Sequence, residues 1–177
     1  MANFSLSKTT YINGLIMGIG FCLYTTLMWL TGLDSTYLYI GQYFDMLIVL
    51  LPVVMIVRAI KQEQVGGHIT FLKRVVVALV VAAISFVIYE PFLYVYHHHI
   101  NPEWYNAVLT LKETELKAAN TPAPEIARTL QQMRTSGVAQ ADLFRLSAII
   151  PSVIILPLLI TLLSYAFVRN SKVTLHQ

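Results

Sequence analysis

Two carboxylate residues, Asp45 and Glu90, lie inside long apolar segments of the chain. A charged side chain within a bilayer costs roughly 2.5–3.5 kcal/mol on insertion scales, so such a residue needs a function or a partner. Each acid lies about six to eight residues from the same end of its segment, which at about 1.5 Å per residue gives both a similar depth. Arg145 enters the last segment from that side and is long enough to reach them. The spacing predicts a cluster of Asp45, Glu90 and Arg145, either a proton or cation site or a structural ion pair.

Three adjacent histidines, His97 to His99, follow the third apolar segment. Imidazole nitrogens bind transition metals, but three neighbouring residues of a helix cannot all point the same way. One or two of them could bind a metal together with Glu90 or Asp45, and the alternative is an interfacial polar cluster beside aromatic residues. The chain has no phosphate-binding glycine loop and no nucleophile elbow. We therefore predict no metal site, no cofactor and no catalytic residue.

The composition is that of a membrane protein. Of the 177 residues, 56% are hydrophobic and 12% are charged, whereas soluble domains average about 45–50% and about 25%. The mean hydropathy is +0.65. These values exclude a soluble enzyme, a disordered chain and a collagen-like chain. The single cysteine, Cys22, lies in the first apolar segment, so no intrachain disulfide can form.

Four apolar segments reach the length of about 20 residues that a membrane-spanning helix needs. They cover residues 11–31, 37–57, 71–96 and 144–167. The first is longer than the apolar region of a signal peptide and lacks a cleavage motif, so we expect it to be retained. The predicted fold is all-α, with one four-helix membrane domain over residues 1–177.

The polar insert at residues 97–143 is predicted to form a two-helix hairpin outside the membrane. Asn101 followed by Pro102 is typical of a helix start, and the stretch 120–124 breaks the helix. Apolar residues recur at i, i+4 and i+7 on both sides of the break, as on one face of a helix. These residues are Trp104, Val108 and Leu111, then Ile126, Leu130 and Met133. The alternative is a loosely ordered loop on the membrane surface.

The basic residues predict the orientation. Seven of them share one side of a four-span arrangement: Lys8, Arg58, Lys61, Lys73, Arg74, Arg169 and Lys172. Cytoplasmic loops carry the excess of Lys and Arg, so both termini are predicted to be cytoplasmic and the insert periplasmic. The net charge of +3 arises at the ends of apolar segments, which indicates the bilayer, and not nucleic acid, as the partner.

The first apolar segment contains Gly14 and Gly18 in a GxxxG pattern. Two glycines at this spacing let another helix approach closely. The pattern predicts either contact with another membrane protein or a second copy, or tight packing inside the bundle.

Several short motifs are similar to those of a known family. Gly66-Gly67-x-Ile69-Thr70-Phe71 precedes the third span and Ile100-Asn101-Pro102-x-Trp104 follows it. With the insert and the short basic tail, the chain resembles the DUF4199 family of small membrane proteins, found mostly in Bacteroidota. The resemblance implies four spans and a bacterial inner-membrane location. It implies no activity, cofactor or catalytic residue.

Three functions remain open at this stage. The first is a non-catalytic accessory or interaction subunit of a membrane assembly, which the small size and the capped insert favour. The second is a small transporter or ion-conducting oligomer that uses Asp45 and Glu90. The third is a membrane enzyme that uses the histidines.

Overall fold

The computed structural model describes residues 6–135 and 146–170. Within these ranges the protein is helical, without a named strand. The helices are α1 (Lys8–Leu30), α2 (Leu38–Ile48), α3 (Leu50–Gln62), α4 (Phe71–Val95), α5 (Trp104–Ala118), α6 (Ala123–Thr135), α7 (Leu146–Ile149) and α8 (Leu156–Phe167). Two π-helical segments, Tyr96–Ile100 and Ile150–Ile155, continue α4 and join α7 to α8.

Four helical stretches of the described chain are long and apolar enough to cross a membrane, as the sequence predicts. They are Lys8–Leu30, Leu38–Gln62, Phe71–Ile100 and Leu146–Phe167. The second continues five residues beyond its predicted end and comprises α2 and α3. The helix is interrupted at Val49, three residues before Pro52, because proline has no N–H to donate to the carbonyl of Ile48.

The chain divides into two compact units with opposite charge. The first comprises Met1–Phe21, Val49–Tyr89 and Phe144–Gln177, and the second comprises Cys22–Ile48 and Glu90–Leu143. Eight Lys or Arg and one Asp or Glu fall in the first unit, against four and eight in the second. We call them the basic unit and the acidic unit.

The core of the basic unit is formed by α3, α4 and α8. Ile56 and Ile60 of α3 are one helical turn apart, as are Val77 and Val81 of α4, and all four are fully buried together with Ile160 of α8. Each pair lies on one face of its helix, because residues four positions apart are neighbours on the helix surface. Membrane helices associate through such packing, since lipid tails are as apolar as the side chains.

Gly14 and Gly18 lie where α1 packs closely on α4 of the same chain. A Cβ atom at Gly14 would be 2.9 Å from Ile84 Cβ, and one at Gly18 would be 3.0 Å from Ile88 Cβ. No side chain fits there without displacement. This geometry corresponds to packing inside the bundle, the second of the two uses that the GxxxG pattern predicts.

In the acidic unit, α5 ends at the predicted break. Asn120 adopts a positive φ of 55°, a conformation that asparagine tolerates better than most residues. Its N–H donates to the Lys117 carbonyl and the N–H of Thr121 to the Leu116 carbonyl, each at 3.0 Å, which satisfies the last carbonyls of the helix.

The most buried residues of α5 and α6 differ in part from the predicted apolar stripes. Leu109 is the buried residue of α5, whereas Trp104, Val108 and Leu111 are half-buried. In α6 the buried residue is Ile126, as the stripe predicts. The hydroxyl of Tyr105 also donates to the Met133 carbonyl, a contact that apolar periodicity could not reveal.

Candidate functional site

A buried carboxylate, Glu63, lies where the ends of α1, α3 and α4 meet in the basic unit. Its residue is only 4% exposed. The backbone N–H of Ser7 and the hydroxyl of Thr10 each donate to Oε1 at 2.6 Å. The ammonium of Lys73 lies 2.9 Å from Oε2. Both carboxylate oxygens therefore have strong donors, and one side chain connects three helices.

These donors determine the charge of Glu63. Burial alone would raise the pKa of its carboxyl, but the hydrogen bonds from Ser7, Thr10 and Lys73 outweigh burial and lower the pKa to about 2. Glu63 is therefore ionised at neutral pH. A carboxylate with so low a pKa is poorly suited to general acid–base catalysis, and its geometry is that of a structural anchor.

The loop between α3 and α4 turns on two glycines. Val65 and His68 exchange backbone hydrogen bonds of 3.2 and 3.0 Å, and Gly66 and Gly67 between them have positive φ values of 57° and 82°. A two-residue turn with φ positive at both positions favours glycine. Gln64 then donates to the Gly67 carbonyl at 2.6 Å and to the Arg169 carbonyl at 2.9 Å, so the loop is held to the segment after α8.

Arg74 is a fully buried cation on α4. Its guanidinium donates to Ser164 Oγ at 3.0 Å and to the Val168 carbonyl at 2.7 Å, and it lies 4.2 Å from the centre of the Tyr165 ring. No Asp or Glu of the described residues forms an ion pair with it. The carbonyl end of α8 compensates its charge instead, because the last carbonyls of a helix carry partial negative charge.

A cavity of about 280 Å³ opens beside Glu63 and Lys73. It is lined by Glu63, Val65, His68, Ile69, Thr70, Lys73 and Asn170. The side-chain amide of Asn170 accepts from the Ile69 N–H at 3.1 Å and donates to the Ile69 carbonyl at 3.3 Å. The segment after α8 thus forms part of the cavity wall.

The acidic unit contains a second buried carboxylate, Asp34. Asn101 Nδ2 donates to Asp34 Oδ2 at 3.1 Å and to the hydroxyl of Tyr96 at 3.0 Å. The Asn101 side chain is thus engaged with Asp34 and Tyr96, and α5 begins after Glu103 without a side-chain cap. Asp34 Oδ1 is buried without a hydrogen-bond partner among the described residues. Burial raises the pKa of Asp34 more than the bond from Asn101 lowers it.

The predicted cluster of Asp45, Glu90 and Arg145 is described only in part. Asp45 is exposed and accepts a hydrogen bond of 2.8 Å from the hydroxyl of Tyr24. Glu90 is half-buried on α4, directly before Pro91. Arg145 lies outside the described residues, so its pairing with an acid stays a prediction.

The histidine run is divided among different neighbours. The ring of His97 lies 4.6 Å from that of Trp104, and His98 is stacked on Tyr94 at 4.2 Å. His99 is exposed. Among residues 6–135 and 146–170, no three His, Cys, Asp or Glu side chains are grouped so as to hold a metal ion.

In the sequence, Lys73 and Arg74 indicate only the orientation, and Glu63 does not stand out as a site residue. One signal was present in the sequence: Glu63 is the only acidic residue between Asp45 and Glu90, and it lies within a basic loop. Because the loop between α3 and α4 is short, Glu63 has to lie close to basic residues such as Lys73. The contact of Arg74 with the end of α8 had no sequence signal, since Ser164 is distant in the chain.

Comparison with known proteins identifies the family but no activity. Neither a curated protein nor a solved structure matches the chain. A family model described as a protein of unknown function matches residues 12–170, a range that includes the cavity-lining residues and the four spans almost entirely. The chain belongs to the DUF4199 family.

Proposed function

We propose that this protein is a non-catalytic interaction subunit of an inner-membrane assembly. The observation that carries the proposal is the exposed side chain of Asp45, which accepts one hydrogen bond from the hydroxyl of the half-buried Tyr24. Asp45 is the eighth residue of the span Leu38–Gln62, which places it about 10 Å along the span. An ionisable residue at such a depth is normally directed toward protein or water, because lipid does not solvate it.

One hydrogen bond does not satisfy this carboxylate. An ionised carboxylate has about four acceptor sites, and the hydroxyl of Tyr24 occupies one of them. Among the described residues no Lys or Arg forms an ion pair with Asp45. A transmembrane helix of another protein with a cationic or hydrogen-bonding side chain at the same depth would supply the missing donors.

The charge distribution supports the orientation proposed for this subunit. The acidic unit carries Asp45 together with the insert, and the basic unit carries both termini and the loop at 63–70. By the positive-inside rule, the termini and this loop are cytoplasmic and the insert is periplasmic. Reporter fusions after Lys61 and after Asn120 should give cytoplasmic and periplasmic signals respectively, and the reverse pattern would refute this orientation.

The insert is proposed to form the periplasmic contact surface. The contact between Tyr105 and Met133 supports a hairpin of α5 and α6. Its exposed residues include both signs of charge, with ion pairs of Lys112 with Glu115 and Lys117 with Glu113. Such a surface suits a polar protein partner.

Photo-crosslinking in native membranes tests the proposed role of Asp45. A photoreactive residue replaces Met46, which is 70% exposed beside Asp45. We expect one defined adduct with another membrane protein, reduced about tenfold by Asp45→Asn, because a charge-assisted hydrogen bond is lost. The matched control is Lys61→Gln, an exposed charged residue near the end of α3 and outside the insert, which should leave the adduct unchanged.

Two results would contradict this proposal. An adduct that persists at full yield in Asp45→Asn would show that the acid does not recruit the partner. The variant Arg145→Gln tests the predicted pairing of Arg145 with an acid of the same chain. If that pairing exists, the variant should lower the thermal stability and leave the adduct intact. If purified wild-type protein alone conducts protons or cations in proteoliposomes and Asp45→Asn abolishes the flux, the transport function replaces the accessory one.

A further inference from the structure

We propose that the cavity of the basic unit is a binding site for a phosphate group at the membrane surface. The cavity lies where α3 ends and α4 begins, beside the segment that follows α8. Its volume of about 280 Å³ is ample for a phosphate group. The proposal rests on donors, charge and position, and it is independent of the role of Asp45.

Three side chains provide donors toward a phosphate. Lys73 has three N–H groups and pairs with Glu63, so its remaining donors are available at a side chain that is 25% exposed. The hydroxyl of Thr70 accepts from the backbone N–H of Lys73 at 3.3 Å, and its own hydrogen remains to be donated. His68 lines the cavity from the glycine turn and is exposed.

The local charge favours an anion over a cation. Glu63 is the one acid of the basic unit, and its oxygens are already engaged by Ser7, Thr10 and Lys73. Behind the wall, Arg74 lies 3.5 Å from Asn170 Oδ1 and has no ion pair with a described acid. The positive charge of the guanidinium would attract an anion in the cavity and repel a cation.

The surroundings of the cavity suit the headgroup of a phospholipid. Val65 lines the cavity with 75% of its surface exposed. Phe71 and Leu72, next to Thr70 and Lys73 in the chain, are 52% and 57% exposed. Basic pockets at the cytoplasmic side of membrane helices bind anionic headgroups, and exposed apolar side chains would contact the acyl chains. Soluble inorganic phosphate has the same chemistry without the acyl chains.

Native mass spectrometry of the full-length protein in detergent tests the proposal. The probes are phosphatidylglycerol, inorganic phosphate, and diacylglycerol as the lipid without phosphate. We expect retention of one phosphate-bearing probe, weakened about tenfold by Lys73→Gln because a charge-assisted contact is lost. His68→Gln should also weaken it while leaving the pair of Glu63 and Lys73 intact. Lys61→Gln, an exposed base on α3 outside the cavity lining, is the matched control and should not change it.

The probes distinguish the two sources. Retention of phosphatidylglycerol alone assigns the phosphate to a lipid headgroup, and retention of inorganic phosphate assigns it to a soluble ion. The proposal is overturned if neither phosphate-bearing probe is retained, or if diacylglycerol is retained to the same extent as phosphatidylglycerol. It is also overturned if Lys61→Gln weakens binding as much as Lys73→Gln does. Lys73→Gln also removes the ion-pair partner of Glu63. If Lys73→Gln does not fold for this reason, His68→Gln still tests the binding site.

Discussion

Glu63 and Asp34 are the two carboxylate residues that the described part of the chain buries, one in each unit. Glu63 receives two hydrogen bonds and an ammonium contact, whereas Asp34 receives one side-chain hydrogen bond and has an oxygen without one. The pKa of Glu63 falls to about 2, and the pKa of Asp34 rises. Burial raises the pKa of both carboxyls, whereas hydrogen-bond donors lower it. The number and charge of the donors therefore decide whether the pKa ends below or above its usual value.

The difference follows from what surrounds each carboxylate. Glu63 lies beside the first turns of α1 and α4, where unsatisfied N–H groups and basic side chains are concentrated. Asp34 lies between α1 and α2 in a unit with twice as many acidic as basic residues. The basic unit thus stabilises a buried charge, and the acidic unit tolerates one at a cost.

Arg74→Ala should have the largest effect on stability. Two close hydrogen bonds from a charged donor are lost, at about 1.5–3 kcal/mol each, and the Val168 carbonyl is left without its donor. We expect a loss of about 3–4 kcal/mol, measured by thermal unfolding in detergent. Arg58→Ala, an exposed base on α3, is the matched control and should change stability by less than about 0.5 kcal/mol. Equal losses would mean that the buried contacts of Arg74 do not stabilise the basic unit.

Glu63→Gln should have the next largest effect, with a characteristic pH dependence. A pKa lowered from 4.5 to about 2 corresponds to a contribution of roughly 3 kcal/mol at neutral pH. Because the folded state binds this proton more weakly, the contribution is complete above about pH 4.5 and is lost as the pH falls toward about 2. Unfolding followed between pH 7 and pH 3 should show this loss in the wild type and not in Glu63→Gln. An identical pH profile in both proteins would refute the assignment, and Glu125→Gln is the exposed control.

Much of the fold could be predicted from the sequence, because its signals are local. Run length gives the four spans, and the stretch 120–124 gives the break between α5 and α6. The interruption at Val49 follows from Pro52. These features depend on backbone hydrogen bonding and local apolar composition, which neighbouring residues determine.

The candidate site could not be predicted in the same way, because its contacts join distant parts of the chain. Glu63 meets Thr10 across 53 residues, and Arg74 meets Ser164 across 90. The sequence directs attention to acids within apolar segments, such as Asp45, since their cost in lipid is evident from composition alone. A charged residue at a helix end looks unremarkable in a sequence, and only the packing of the helices shows what it contacts.

Gly14→Ala should destabilise the basic unit by about 1–3 kcal/mol through overpacking. The added methyl would lie 2.9 Å from Ile84 Cβ and 3.1 Å from the Val81 carbonyl oxygen, and neither atom can rotate away. Gly20→Ala is the matched control, because the nearest atom there, at 2.9 Å, is the terminal methyl of Leu51, which can change rotamer. Thermal unfolding should therefore separate the two variants. A neutral Gly14→Ala would show that α1 and α4 can move apart without loss.

Asp34→Asn should have the smallest effect and the opposite sign to Glu63→Gln. The raised pKa of Asp34 means that the folded state binds the proton more tightly than the unfolded state, so ionisation costs stability as the pH rises through the folded pKa. A neutral amide avoids this cost, because an unpaired charge is more expensive to bury than an amide, and its carbonyl can still accept from Asn101. At neutral pH we expect Asp34→Asn to be unchanged or more stable by up to about 1 kcal/mol, and the gain should vanish in acid. If Asp34→Asn instead destabilises the protein as much as Glu63→Gln does, then Oδ1 of Asp34 has a donor in the membrane-embedded protein. In that case the buried charge of Asp34 is stabilised like that of Glu63, and the contrast between the two units is wrong.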